Sequence, residues 1–123
     1  MKANLLLFAT LSLVFLACGS ADKSAPATGT DVTRNPAYAK GLKLIAESDC
    51  ATCHQVDEKM TGPSYTDIAA KYAGATDAEL SQVAQKIIKG GGGVWGEVPM
   101  TPHPSIPLEN ATAMVEYMLL LKK

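Results

Sequence analysis

The chain has 123 residues and a mass of 12.9 kDa, with 47% hydrophobic and 19% charged residues and a formal net charge of -1. This length holds one small domain and excludes a two-domain enzyme with a deep interdomain cleft. Eleven basic against twelve acidic side chains leave no electrostatic footprint for nucleic acid, and no RNA-binding or helix-turn-helix signature stands in for one.

In chain order, residues 1–17 read as an export signal, in which Lys2 precedes an apolar run from Leu5 to Ala17. A run of about 10–14 apolar residues is too short for a bilayer core of roughly 30 Å and suits a signal-peptide core better than a single membrane anchor. Cys18, directly after Leu16-Ala17, resembles the lipobox cysteine of bacterial lipoproteins, with Phe15 where leucine is usual. On that reading Cys18 is lipidated and becomes the new N-terminus; a plain secreted chain cut nearby is the alternative. In both cases the domain is expected on the outer, periplasmic side of the cytoplasmic membrane. Residues 19–34 are Gly, Ser, Ala, Thr and Pro with scattered charges and no apolar period, which predicts that 18–34 form a lipid-attachment cysteine and a flexible tether. The folded part is then 35–123, small enough to need a cofactor or crosslink.

No stretch alternates with period two, so the expected class is all-α, with about four helices. The first is predicted over Pro36–Asp49, with proline in its first turn and Tyr38, Gly41, Leu42, Ile45 and Ala46 on one face. A short second covers Ser64–Tyr72, with Ile68, Ala69 and Tyr72 inward. The third opens on a capping box of Thr76 and Glu79, carries a stripe of Leu80, Val83, Ala84, Ile87 and Ile88, and stops at Gly90. The last runs from Pro107 to the end, with Ala111, Met114, Val115, Met118 and Leu121 at helical spacing. Between the last two, residues 90–107 hold five glycines and four prolines in eighteen positions, a composition that predicts an irregular loop. A loop this long in a small domain is usually functional. Its Gly90–Gly93 run lacks the Gly-Lys-Ser/Thr of a phosphate loop and reads instead as a place where backbone passes close to a bulky object.

The chemistry concentrates at Cys50-Ala51-Thr52-Cys53-His54, the C-x-x-C-H pattern of c-type haem attachment. Two thiols three positions apart on one turn reach the two vinyl groups of a porphyrin as thioethers. The histidine directly after them points its imidazole at the iron. A thioredoxin-like dithiol is the first rival, but no strand precedes Cys50. A zinc site would need His103, far off and flanked by prolines, and zinc ligand pairs are spaced more widely. A Cys50–Cys53 disulfide leaves His54 without a role. The sixth iron ligand separates a carrier from a gas binder. Met114 and Met118 lie four apart on the last helix and read as core. Met60 is only six residues beyond His54. Met100, held between Pro99 and Thr101-Pro102 in the long loop, is the chosen ligand, with His103 its rival; the ordinary fate of a loop histidine is exposure to solvent.

These residues resemble bacterial class I monohaem cytochromes c of the c-551/c-552 group. The likeness is carried by DCATCHQVDEKMTGPSYTDIAAKYAG (49–74) and GVWGEVPMTP (93–102), followed by an amphipathic last helix. It implies a cytochrome c fold wrapped around one covalently attached haem c. Cys50 and Cys53 would hold the haem and His54 and Met100 would be its axial ligands. The Pro63 carbonyl would accept from the free ring nitrogen of His54, Trp95 would donate to a haem propionate, and Gly41 and Tyr117 would meet where the first and last helices cross. One departure is Lys89, where several members carry an asparagine that orients the methionine sulfur. The implied function is one-electron transfer without enzymatic turnover. The expected partners are a redox donor and acceptor, such as a quinol-oxidising complex, a terminal oxidase, a reductase or a dehydrogenase. A monomer is expected, reaching the membrane only through a lipid on Cys18.

Overall fold

The computed structural model describes residues 31–123. Cys18, the export signal and most of the expected tether lie outside the described residues. The tether's last residues form a short 3-10 turn, Val32–Arg34, because Asp31 caps it by accepting from the Thr33 backbone N–H at 3.2 Å. Among the described residues, no helix is long and apolar enough to cross a membrane.

Four α-helices follow: α1 (Pro36–Ala46), α2 (Tyr65–Lys71), α3 (Asp77–Lys89) and α4 (Leu108–Leu120). Each start has a local cause. Asn35 accepts from the Ala37 backbone N–H at 2.9 Å ahead of Pro36, which needs no donor of its own at that position. Ser64 does the same for Asp67 at 3.0 Å, although it is almost fully buried. Thr76 and Glu79 close a reciprocal box, so two otherwise unpaired N–H groups are satisfied together. α1 ends three residues before the predicted Asp49, since Glu47 and Ser48 turn back onto Lys43 and Ile45 and the chain enters a 3-10 turn over Asp49–Thr52.

α4 is the hub, and α1, α2 and α3 all pack on it. Its Ala111, Ala113, Met114, Val115, Tyr117 and Met118 are buried. α1 crosses it at Gly41. A Cβ built there would collide with the Tyr117 side chain and lie 2.5 Å from the Ala113 carbonyl oxygen, so only glycine permits this approach. Tyr38 closes the crossing edge-on to Tyr117, with ring centroids 5.1 Å apart. Ile45 is buried on the same face, whereas Leu42 and Ala46, expected inward, face solvent because α4 covers a narrower strip of α1.

The 90–107 segment is not wholly irregular. β1 (Gly91–Gly93) and β2 (Gly96–Met100) form an antiparallel hairpin, with Gly91 opposite Met100, Gly93 opposite Gly96 and an irregularity between. Val94 and Trp95 make its two-residue tip. Gly91, Gly93 and Gly96 have φ of 95°, 109° and 118°, conformations that allow the tight, irregular ribbon and that other residues rarely adopt.

Candidate functional site

One cleft of about 480 Å³ opens between the 3-10 turn, α2, α3, the hairpin and α4. Cys50, Cys53 and His54 line it on one side of the sequence, Trp95 and Met100 on the other, with Ile68, Val83, Ile87, Met114 and Met118 supplying apolar surface. Met114 and Met118 therefore serve both the core, as expected, and the cleft wall.

The 3-10 turn sets the thiols and imidazole. The Cys53 and His54 backbone N–H groups both donate to the Cys50 carbonyl, at 3.2 and 3.0 Å, which coils the pentapeptide into one compact turn. Cys50 is buried and Cys53 partly so, and both are free thiols. Burial pushes the Cys50 thiol up, and the Asp49 carboxylate beside it adds to the shift. The His54 Nδ1–H donates to the Pro63 carbonyl oxygen at 2.7 Å. In the neutral ring that bond leaves Nε2 with the lone pair to give. Gly62 makes the approach possible, because a Cβ there would run into the His54 ring. Gly62 is also tied by its N–H to the Cys53 carbonyl at 2.9 Å, so the 60–63 segment and the cysteine turn form one unit.

Tyr65 stacks on His54, with centroids 5.9 Å apart and planes 18° from parallel. The residue lines the cleft, and its hydroxyl is buried with no hydrogen-bond partner in the protein. Burial first, then the neighbouring Cys50 and Tyr117, hold it protonated far above the ordinary tyrosine range. Native buried polar groups are almost always paired, so an orphan at a cleft wall marks a place completed by a bound group.

Met100 ends β2, half-buried against the core. Gly90, with φ of 64°, caps α3, and a Cβ on it would lie 2.5 Å from the Met100 carbonyl oxygen and 2.7 Å from the Pro102 nitrogen. The bulky object that glycine admits is thus the backbone bearing Met100. Met60 is 44% exposed and does not line the cleft. Lys89 reaches back along α3 to Gln85 at 3.0 Å and stays exposed. Trp95 lines the cleft with the Lys71 ammonium 5.3 Å from its ring centre. His103 is not the exposed loop residue expected: its side chain is 16% exposed, with Nε2 2.9 Å from Asp49 and Nδ1 3.3 Å from the Ile87 carbonyl. Among the described residues, no three His, Cys, Asp or Glu side chains converge in a cluster that could hold a metal.

The residues fit a haem: two thiols and a correctly tautomerised imidazole on one turn, a thioether on the loop, an apolar lining and an orphan hydroxyl. Comparison with known proteins agrees. The cytochrome c family pattern matches residues 38–122, and the chain belongs to that family. It is 40% identical over 90 residues to cytochrome c-551 of Allochromatium vinosum, covering 73% of this chain and 95% of that one. It is 43% identical over 79 residues to cytochrome c-552 of Nitrosomonas europaea, covering 64% of this chain and 76% of the relative. The crystal structure of wild-type Nitrosomonas europaea cytochrome c552 superposes with a TM-score of 0.61 at 42% identity, over 66% of this chain and 99% of that one. The fold is that of cytochrome c, four helices with one small hairpin, and the protein is a monohaem electron carrier with one covalently attached haem c.

Proposed function

We propose that Cys50 and Cys53 hold the haem as thioethers, that His54 and Met100 are its axial ligands, and that the protein is a carrier with no enzymatic activity of its own. The observation that supports this reading is the 2.7 Å bond from His54 Nδ1 to the Pro63 carbonyl, because it leaves Nε2 free to ligate the iron. Bound haem supplies one-electron exchange between ferric and ferrous iron. His54, braced by Pro63 and stacked on Tyr65, enters that exchange in a fixed orientation. Met100 is presented by a backbone fitted onto Gly90, and a methionine ligand favours the ferrous state and raises the potential. With His54 and Met100 both ligating, the iron would keep no position for a substrate. Trp95, from the hairpin tip, would donate to a haem propionate. The apolar cleft wall excludes water, which further favours the less charged iron.

Added carbon monoxide tests the carrier reading. The ferrous protein at neutral pH should leave it unbound over minutes, whereas rapid binding would show an open or readily displaced sixth position and a ligand-binding function.

The donor and acceptor are redox proteins of the outer face of the membrane: a quinol-oxidising complex, terminal oxidase, reductase or dehydrogenase. Lipid on Cys18 would hold the domain there and raise its effective concentration near such partners. Cys18→Ala should leave the haem intact and move the protein from the membrane to the soluble fraction. Unchanged membrane association in that variant would contradict lipidation.

A further inference from the structure

Both ring nitrogens of His103 are engaged within the protein. Nε2 sits 2.9 Å from Asp49 Oδ1 and Nδ1 3.3 Å from the Ile87 carbonyl oxygen. Its own backbone N–H donates to the Ile88 carbonyl at 3.1 Å, and its carbonyl accepts from Ile106 at 3.0 Å. Three separate pieces of chain meet on this one side chain. Asp49 is the residue before Cys50, in the turn that carries the thiols and His54. Ile87 and Ile88 form the end of α3. His103 itself lies three residues beyond Met100.

The geometry points to His103 as a positioning residue that braces the Met100 segment against the cysteine turn, with Asp49 as its counter-ion. This rests on Met100 being the sixth ligand. The chemistry of the brace is specific. A carboxylate and a backbone carbonyl are both acceptors, so each requires an imidazole N–H. The ring serves both only when it carries two protons and a positive charge, which Asp49 balances in a charge-assisted bond. A neutral ring has one donor and must release one partner. The other charged groups lining this cleft are Glu79 and Lys86 of α3, while α4 contributes Met114 and Met118 and no charge. Because Asp49 lies 54 residues from His103, the contact closes a long loop and fixes how far the Met100 segment can swing from the haem-attachment turn.

The test uses the exported haem protein in four forms: parent, His103→Ala, Asp49→Asn and the double variant. Azide, an exogenous ligand for ferric iron, competes with Met100, and its apparent affinity reports how firmly Met100 is held. At about pH 5.5 each single variant should bind azide about tenfold more tightly than the parent. The double variant should bind no more tightly than the tighter single variant, since both remove the same bond. The two substitutions change net charge in opposite directions, so a common shift reports the brace and not the local field. Single effects that add, or an Asp49→Asn variant indistinguishable from the parent, would overturn the brace. A parent lacking the sulfur-to-iron absorption band would overturn the Met100 ligation beneath it, a separate failure read before any azide is added.

Discussion

Met100→Ala should abolish the weak sulfur-to-iron band of the oxidised protein and lower the reduction potential by on the order of 0.1 V, a modest part of the roughly 0.8 V that axial ligands span. The direction follows from the thioether. A soft, neutral sulfur stabilises ferrous over ferric iron, and water or hydroxide in its place reverses that preference. The same variant should bind carbon monoxide promptly when reduced, in contrast to the parent. Its fold should survive, because Met100 is only half-buried and the Met114, Met118 and Ile87 lining is untouched. Spectra, potentiometry and ligand binding on one preparation check all three outcomes. A parent-like spectrum in Met100→Ala would place a different side chain on the iron, with His103 and Met60 the residues to substitute next.

Replacing both thiols, Cys50→Ser with Cys53→Ser, should have the largest effect on the fold. Without thioethers the haem is held by ligation and packing alone, and acid–acetone should extract it. The consequence for stability can be scaled. At about 24 cal/mol per Å³ of cavity, a cleft of about 480 Å³ left empty represents roughly 12 kcal/mol. The cleft is open on one side, so that figure is an upper bound, yet it matches the whole stability of about 5–15 kcal/mol typical of a domain. The haem-free double variant should therefore show reduced helicity and no sharp thermal transition by circular dichroism. A haem-free variant that melts as cooperatively as the parent would mean that α4 and its neighbours form a sufficient core by themselves.

Much of this was legible in sequence because the signals were local. The capping box at Thr76 and Glu79, the C-x-x-C-H spacing and the glycine at 90 each involve residues within a few positions of one another, and the structure shows the corresponding local features. Burial on α1 was less legible. Which of its apolar residues face inward depends on how closely α4 approaches, and that is set by Gly41 against Tyr117, 76 positions away. The hairpin escaped notice because its strands are almost wholly exposed, so no alternating pattern exists to find, and its turn uses Val94-Trp95 flanked by glycines instead of Asn-Gly. His103 was misplaced at the surface for the same reason as α1: its partners, Asp49 and the Ile87 carbonyl, are brought to it only by the tertiary fold. Tyr65 carried no sequence signal beyond its place after Pro63-Ser64, and its place beside His54 goes with backbone bonds from Tyr65 and Thr66 to the Gln55 and Val56 carbonyls, at 2.9 and 3.0 Å.

The most direct test of His54/Met100 ligation on a covalent haem is the optical spectrum of the exported protein, oxidised and reduced, with acid–acetone extraction on the same sample. The expected result is haem that stays with the polypeptide, a sharp low-spin reduced spectrum and a weak sulfur-to-iron band in the oxidised form. Haem retained without that band would contradict Met100 as the ligand while leaving the attachment at Cys50 and Cys53 intact. Absence of haem from protein made in a host able to attach it would contradict the attachment itself.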